Sequence, residues 1–232
     1  MIPWVLIDRA QVPGQASNEA PGSDLRLMQR GAEFSIMLGQ NELMNSRLSG
    51  SEQALATLAC GKIATCETPR LLIGGLGMGF TLRAALGVLG PKAEVVVAEL
   101  VPAVIAWAHG PMAPVFGGSL SDPRVVIREA DVRHLIRRAE THYDAILLDV
   151  DNGPDGLTRA SNDGLYKPAG LSAARHALRQ GGVLAVWSSG PDAAFTQRLR
   201  KAGFGVDEVR VRANGSRGGA RHVIWVATKV GA

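Results

Sequence analysis

The sequence predicts an α/β fold in which a doubly wound, Rossmann-like sheet of seven strands follows a small N-terminal antiparallel β unit. From about residue 70, short apolar runs alternate with stretches of helical periodicity, which is typical of parallel βαβ units. The last two predicted strands follow each other without a helix, so the sheet should end in an antiparallel hairpin. We therefore expect a β unit with its connecting helix over residues 1–65 and an α/β domain over residues 66–232.

Composition restricts the class of protein. Of 232 residues, 46% are hydrophobic and 20% are charged, which is an ordinary globular balance. No apolar run approaches the roughly 20 residues that a membrane span needs, and the N-terminus lacks a signal-peptide layout because Asp8 and Arg9 follow its short apolar start. Two cysteines are too few for a disulfide framework. We therefore expect a cytoplasmic protein that does not bind membranes.

The charge balance is less informative. The net charge is +4, and arginines such as Arg133, Arg137 and Arg138 supply much of the positive charge. Spacing of four residues puts Arg133 and Arg137 on one helix face, which is more typical of a solvated surface than of a nucleic-acid interface. Nucleic acid is therefore the less favoured partner, although it stays open as an alternative.

The first quarter of the chain contains strand and hairpin patterns. Two alternating stretches with Gly31 between them indicate a hairpin, and Ser49 followed by Glu52 has the spacing of a capping box at a helix start. The predicted strands are Trp4–Ile7, Leu25–Arg30, Glu33–Leu38 and Glu42–Asn45, and the predicted helix ends near Lys62.

The remaining chain alternates strands and helices. The predicted strands are Arg70–Gly74, Glu94–Glu99, Arg124–Arg128, Tyr143–Asp149, Val183–Ser188, Val206–Arg212 and His222–Thr228. The predicted helices are Phe80–Leu89, one starting at Pro102, Asp131–Glu140, Asn162–Gln180 and Pro191–Ala202. Pro168 should interrupt the fourth of these helices, and Gly203 should end the fifth.

A glycine-rich loop follows the first strand of the α/β domain, where open sheets of this kind bind ligands. Gly75, Gly77 and Gly79 have the spacing G-x-G-x-G and precede a helix, so backbone N–H groups are available to a ligand. The dinucleotide fingerprint would need a small residue at position 80, which is Phe80. This difference disfavours NAD and FAD.

Three acidic residues stand at the ends of the next three strands. Glu99 is positioned to accept hydrogen bonds from ribose hydroxyls, Asp131 to accept one from an adenine amine, and Asp149 ends the fourth strand. The structural alternatives are a helix N-cap for Asp131 and loop carboxylates for Glu99 and Asp149. Their coincidence with the glycine loop favours an adenosine-type ligand and a nucleoside-binding domain.

The histidines are scattered without ligand spacing, so we expect no metal.

Three segments carry a resemblance to a known family: Leu71-Leu-Ile-Gly-Gly-Leu-Gly-Met-Gly-Phe-Thr-Leu-Arg83, Val97-Ala-Glu-Leu-Val-Pro102 and Tyr143-Asp-Ala-Ile-Leu-Leu-Asp149. They resemble the spermidine synthase (polyamine aminopropyltransferase) family within the class I S-adenosylmethionine-dependent methyltransferase superfamily. The resemblance implies a transferase that uses S-adenosylmethionine or decarboxylated S-adenosylmethionine, a small-molecule acceptor, no metal and a homodimer.

The resemblance also implies roles for individual residues. The three loop glycines would line the donor, Glu99 with Leu100 would hold the ribose, and Asp131 with Val132 would hold the adenine. Asp149 would be the catalytic residue beside the transferred group, acting as a general base. Asp151, Asp155 and Tyr166 would contribute to the acceptor site. For Asp149 a structural alternative is a cap on the following loop, and for Tyr166 it is packing.

Departures from the family concern the amine-binding acids. The family's G-G-G-D-G-G loop has an aspartate where Gly77 and Met78 stand here, and its E-h-D motif after the second strand becomes Glu99-Leu-Val101. Its D-x-x-D motif becomes Asp149-Val-Asp-Asn152, and its Tyr-His pair has no counterpart in residues 51–57. Loss of acids that would solvate a polycation favours methyl transfer to a small nucleophile. Aminopropyl transfer and a non-catalytic adenosine-binding role stay open as alternatives.

Overall fold

The computed structural model describes residues 2–13, 24–150 and 163–231, and these form two sheets. The first is an antiparallel meander in the order β1-β2-β3-β4. Its strands are β1 (Val5–Ala10), β2 (Leu25–Arg30), β3 (Glu33–Leu38) and β4 (Asn41–Asn45). The hairpin of β2 and β3 forms at the predicted bounds, with Gly31 at a φ of 60°.

The second sheet has seven strands in the order β10-β11-β9-β8-β5-β6-β7. Its strands are β5 (Arg70–Gly74), β6 (Glu94–Glu99), β7 (Val125–Glu129), β8 (Tyr143–Leu148), β9 (Leu178–Ser188), β10 (Phe204–Arg212) and β11 (Arg221–Lys229). Strands β5 to β9 are parallel, and β11 pairs antiparallel with both β9 and β10. The predicted doubly wound sheet with a C-terminal hairpin is thus confirmed, and the strand order reverses between β5 and β8.

Helices cover both faces of this sheet. They are α1 (Gly50–Lys62), α2 (Phe80–Val88), α3 (Pro102–His109), α4 (Ala113–Phe116), α5 (Val132–Arg138), α6 (Asp163–Tyr166), α7 (Pro168–Ala177) and α8 (Ala193–Lys201). Along β5, Leu71 and Ile73 belong to the core with α1, α2 and α3, whereas Leu72 belongs to the core with α5, α7 and α8. This alternation is the period of two that a strand imposes on its side chains.

The N-terminal sheet shares a core with one face of the large sheet. Leu27 and Ile36 are almost completely buried in the same cluster as Leu71 and Ile73, and α1 packs against α2 and β9. Helix α1 therefore contacts the α/β domain directly. The division of the chain near residue 65 stays a proposal about domain organisation.

Several predicted element bounds are wrong by a few residues for identifiable reasons. The helix expected to reach Gln180 ends at Ala177, because Leu178 already pairs with Tyr143 of β8 and residues 179–182 bulge from the ladder. Pro168 interrupts the helix as predicted, since Lys167 before it is extended, with a ψ of 161°. Gly203 follows α8 at a φ of 86°, which confirms it as the helix stop.

Candidate functional site

A cavity of about 220 Å³ lies at the carboxyl ends of β5, β6, β7 and β8, where the strand order reverses. The glycine loop and these strand ends line it together with side chains of the N-terminal sheet. The lining residues from the N-terminal sheet include Leu25, Ile36, Leu43, Met44 and Asn45. The N-terminal sheet therefore contributes to the wall of the cavity.

The glycine loop adopts a backbone that side chains would not tolerate. Gly75, Gly77 and Gly79 have φ values of 90°, 49° and 73°. A Cβ on Gly75 would lie 2.5 Å from the carbonyl oxygen of Asp149, and one on Gly79 would lie 2.3 Å from the ring of Phe116. All three loop glycines line the cavity, and close packing within the protein already accounts for two of them.

Glu99 ends β6 in the cavity wall and is only 8% exposed. Its Oε2 accepts a hydrogen bond from the Leu76 amide and its Oε1 one from the Val101 amide, both at 2.9 Å. Burial raises its pKa, and these backbone N–H groups oppose that shift. Because each carboxylate oxygen can accept more than one hydrogen bond, Glu99 can hold the loop in place and still bind a hydroxyl.

Asp131 caps helix α5. Its Oδ1 accepts a hydrogen bond of 2.8 Å from the Arg133 amide, and its carboxylate also pairs with the Arg133 guanidinium. Burial acts to raise the pKa of Asp131, but the hydrogen bonds from Arg133 outweigh it and the net pKa is lowered. The N-cap alternative is thus what the structure contains. Asp131 also lines the cavity, as do Leu100 and Val132, so an adenine-binding role is compatible with the cap.

Asp149 follows β8 directly and faces the cavity. Its Oδ2 accepts a hydrogen bond of 2.8 Å from the Thr81 hydroxyl in the first turn of α2. Burial and the nearby negative charge of Glu52 raise the pKa of Asp149 to about 7, against the opposing hydrogen bond from Thr81. A carboxylate with this pKa can take up a proton near neutral pH, which is what a general base needs.

Sequence reasoning missed Glu52 as a site residue. Its spacing from Ser49 predicted a capping box, which is wrong: Ser49 makes no side-chain cap bond, and Glu52 accepts a hydrogen bond of 2.8 Å from the Ser51 hydroxyl. Glu52 lines the cavity together with Asp149. Trp187 on β9 also lines the cavity. Only the tertiary packing, which brings α1 and β9 together, shows that both side chains line the cavity.

The predicted acceptor residues have different outcomes. Tyr166 is 3% exposed, packs edge-to-face on Phe195 at 5.7 Å between ring centroids, and is not among the described residues that line the cavity. Its packing alternative therefore describes it better. Asp151 and Asp155 lie outside the described residues.

The described ionisable residues that line the cavity are all acidic. Glu52, Glu99, Asp131 and Asp149 line it, whereas none of its described lining residues is Lys, Arg or His. Apolar side chains supply most of the remaining wall. Such a pocket favours ligands that combine an apolar body with positive charge, because its described lining residues supply acidic groups and no cation that could pair with a ligand carboxylate.

Comparisons with known proteins agree with this geometry. The order of the seven strands, the glycine loop and the antiparallel C-terminal hairpin define the class I S-adenosylmethionine-dependent methyltransferase fold. A Burkholderia thailandensis 1,6-didemethyltoxoflavin-N1-methyltransferase, solved with S-adenosylhomocysteine, superposes with a TM-score of 0.55 and 18% identity, covering 79% of this chain and 80% of that one. No protein-family model matches the chain.

Two further similarities identify the family that the chain resembles. It is 33% identical to the polyamine aminopropyltransferase of Korarchaeum cryptofilum over 136 residues, which are 58% of this chain and 40% of that protein. The spermidine synthase of Thermotoga maritima superposes with a TM-score of 0.72 and 18% identity, covering 97% of this chain and 72% of that one. The resemblance to the spermidine synthase-like family is thereby confirmed. The chain spans less than half the length of the curated relatives that it matches.

Proposed function

We propose that this protein is an aminopropyltransferase that uses decarboxylated S-adenosylmethionine and a small amine acceptor. The observation that carries the proposal is the charge of the cavity: four carboxylates and no described cation line it. S-adenosylmethionine carries a carboxylate that would need a positive partner, whereas its decarboxylated form is wholly cationic outside the nucleoside. Similarity to a polyamine aminopropyltransferase supports the same choice.

This proposal reverses the preference for methyl transfer that the sequence motifs suggested. That preference depended on the loss of amine-binding acids, and Glu52 supplies an acid from a different element, beside Asp149.

In the proposed reaction the acceptor nitrogen attacks the propyl carbon, so an N–C bond forms and the S–C bond breaks. The sulfur retains the electron pair as a neutral thioether, and Asp149 accepts the proton that the nitrogen loses. Positioning supplies much of the catalysis, since the sulfonium is already a good leaving group.

The site residues have distinct proposed tasks. The glycine loop and Glu99 would bind the ribose side of the donor, and Asp131 with Val132 would bind the adenine. The acceptor would enter between Asp149 and the N-terminal sheet.

The homodimer, the absence of a metal and the cytoplasmic location stay predictions from the family resemblance and the composition. In the described part of the chain no helix is long and apolar enough to cross a membrane.

Calorimetry combined with a turnover assay tests this function. Decarboxylated S-adenosylmethionine and methylthioadenosine should bind, and S-adenosylmethionine should bind at least about tenfold more weakly, because the described residues that line the cavity include no cation to pair with its carboxylate. Incubation with a series of diamines should release methylthioadenosine from the decarboxylated donor. Tighter binding of S-adenosylmethionine, or methyl transfer from it without aminopropyl transfer, would show that the proposed reaction is wrong.

A further inference from the structure

Strand β10 forms one edge of the seven-stranded sheet, because β11 is the only described strand that pairs with it. It is nine residues long, and an edge of this length presents a row of backbone N–H and C=O groups that a further strand can bind. Its charged side chains are all exposed, and they are Asp207, Glu208, Arg210 and Arg212. The edge is therefore accessible and carries both signs of charge.

The ladder with β11 shows which backbone groups of β10 face outwards. The Ala213 amide donates to the carbonyl of Ala220 at 2.9 Å, in the same register as the strand pairs before it. Because the backbone groups of successive residues point to opposite sides of a strand, the odd-numbered residues of β10 bond to β11 and the even-numbered ones face outwards. The outward-facing residues include Val206, Glu208, Arg210 and Arg212.

The same alternation places Glu208 and Arg210 on one face of the sheet, two positions apart and with opposite charges. A second copy of β10 that runs antiparallel, with Val209 opposite Val209 of that copy, brings Glu208 of each copy opposite Arg210 of the other. Both residues face outwards, so each such pair can exchange two backbone hydrogen bonds and also form an ion pair. The strand is thus complementary to itself in backbone and in charge.

The charges also select this register from its neighbours. A shift by one residue sets outward-facing backbone groups against inward-facing ones and forms no ladder. A shift by two residues places Glu208 opposite Glu208, or Arg210 opposite Arg210, and like charges directly opposite each other are destabilising. Among these registers, the one with Val209 at the two-fold axis satisfies both the backbone and the charges.

Contacts within the chain hold the acidic side chains of this edge in place. Thr196 of α8 donates a hydrogen bond of 3.1 Å to Oε2 of Glu208, and the Trp225 indole donates to the same hydroxyl at 2.8 Å. On the other face of the strand, Asp207 already pairs with Lys62 of α1 at 2.8 Å. Asp207 therefore has its cation within the chain, and Glu208 is the acid of β10 that is positioned to bind one from a second copy.

We propose that β10 is a self-recognition edge, which pairs antiparallel with β10 of a second copy about Val209 and joins the two sheets into one. The partner is a second copy because the pattern of charges is complementary to itself. An unrelated extended peptide would gain the backbone hydrogen bonds without matching the charges of Glu208 and Arg210. This pairing does not depend on the transferase activity, and it assigns a surface to the homodimer that the family resemblance implies.

Charge reversal tests the register through the mass of the assembly. In sedimentation experiments the wild type should have the mass of two chains. Arg210→Glu and Glu208→Arg each place like charges opposite each other and should weaken dimerisation at least about tenfold, whereas the double variant Glu208→Arg/Arg210→Glu should restore it.

The control for these variants is Arg137→Glu, which makes the same charge change at an exposed position of α5 and should leave the dimer intact. Urea unfolding of each variant establishes that it is folded. A wild type that stays monomeric, reversals that leave dimerisation unchanged, or a folded double variant that stays monomeric would each overturn the proposal.

Hydrogen exchange on the wild type tests the pairing without any substitution. At protein concentrations well above the dissociation constant, the amides of Glu208 and Arg210 should exchange at least about tenfold more slowly than after dilution to the monomer. The amides of Asp207 and Val209 bond to β11 in either state and should change little. A dimer in which the amides of Glu208 and Arg210 gain no protection would use another surface and would overturn the proposal.

An engineered cysteine tests the two-fold axis. Opposite residues of an antiparallel pair that is not hydrogen-bonded have Cα atoms about 4.5 Å apart, which a disulfide can span. With Cys66→Ser as the background, Val209→Cys should therefore cross-link two copies in the presence of oxidised glutathione. Val211→Cys, which lies opposite Asp207 in this register, should not. Absence of the cross-link in Val209→Cys, or equal cross-linking of the two variants, would overturn the proposed register.

Discussion

Thr81 Oγ1 donates a hydrogen bond of 2.8 Å to Asp149 Oδ2 and so joins the first turn of α2 to the end of β8. This contact spans the point where the strand order reverses, next to the glycine loop. It stabilises the ionised carboxylate, but burial and the charge of Glu52 act more strongly and raise the pKa of Asp149 to about 7. The protein therefore keeps an acid in an environment that disfavours its charged form.

The first prediction concerns the stability of Asp149→Asn. The pKa of Asp149 is about 7 in the folded state and near 3.8 when unfolded. The unfolded state therefore releases its proton first, and the stability of the wild type falls between about pH 4 and pH 7. Asparagine has no charge to bury and can still accept from Thr81, so this variant should become more stable relative to wild type over that interval. Urea unfolding at pH 4.5, 6 and 8 measures the difference.

Asp122→Asn supplies a comparison of opposite sign. The hydrogen bonds from Arg124 hold the pKa of Asp122 to about 2, so its ionised form stabilises the fold above pH 4. Asp122→Asn should therefore destabilise the protein at pH 8, while Asp149→Asn stabilises it. Equal changes in the two variants would contradict the electrostatic account of Asp149.

The parts of the fold that follow from local pattern were predictable. Strands β5 and β6 have the predicted bounds because each is a short apolar run that polar or glycine residues end. The start of β9 was not predictable, since the pairing of Leu178 with Tyr143 is a long-range contact that overrides the helical pattern before it.

The residues of the candidate site were also predictable only in part. The places of Glu99 and Asp149 in the cavity wall were predictable because parallel strands bring their carboxyl ends to one edge of the sheet. Glu52 was missed because it reaches the cavity from α1, which precedes the sheet in the chain and contacts it only through tertiary packing. The spacing of Glu52 from Ser49 also matches a capping box. The sequence alone does not distinguish a helix cap from a side chain that lines the cavity.

The second prediction concerns Glu99→Ala and the loop that Glu99 holds. Removal of the carboxylate leaves the amides of Leu76 and Val101 without their acceptor, at a cost of about 1–3 kcal/mol for each buried group. Hydrogen exchange at these two amides should therefore accelerate about 5- to 150-fold, as measured by NMR on the free protein. The Gly75 amide, which donates to the carbonyl of Ala98, should keep its protection. Unchanged exchange at Leu76 and Val101 would show that Glu99 does not hold the loop.

The third prediction uses two aspartates that have the same local role. Asp131 caps α5 and pairs with Arg133, whereas Asp192 caps α8 and pairs with Arg198. Alanine at either position should destabilise the protein by about 1 kcal/mol through the lost cap. Only Asp131 lines the cavity, so only Asp131→Ala should also weaken the binding of methylthioadenosine. Calorimetry and urea unfolding on both variants test this, and equal affinities would exclude Asp131 from the nucleoside site.

The last prediction compares two glycines at opposite ends of α2. Gly79 has a φ of 73°, and a Cβ there would lie 2.3 Å from the ring of Phe116, so Gly79→Ala must displace either the loop or that ring. Gly87 lies within the helix, and a Cβ there would meet no atom within 4 Å. Gly87→Ala should therefore stabilise the protein by about 0.5–1 kcal/mol, since alanine favours the helix, while Gly79→Ala destabilises it and weakens methylthioadenosine binding. Thermal unfolding and calorimetry measure both effects, and a Gly79→Ala variant with wild-type stability would refute the steric requirement in this loop.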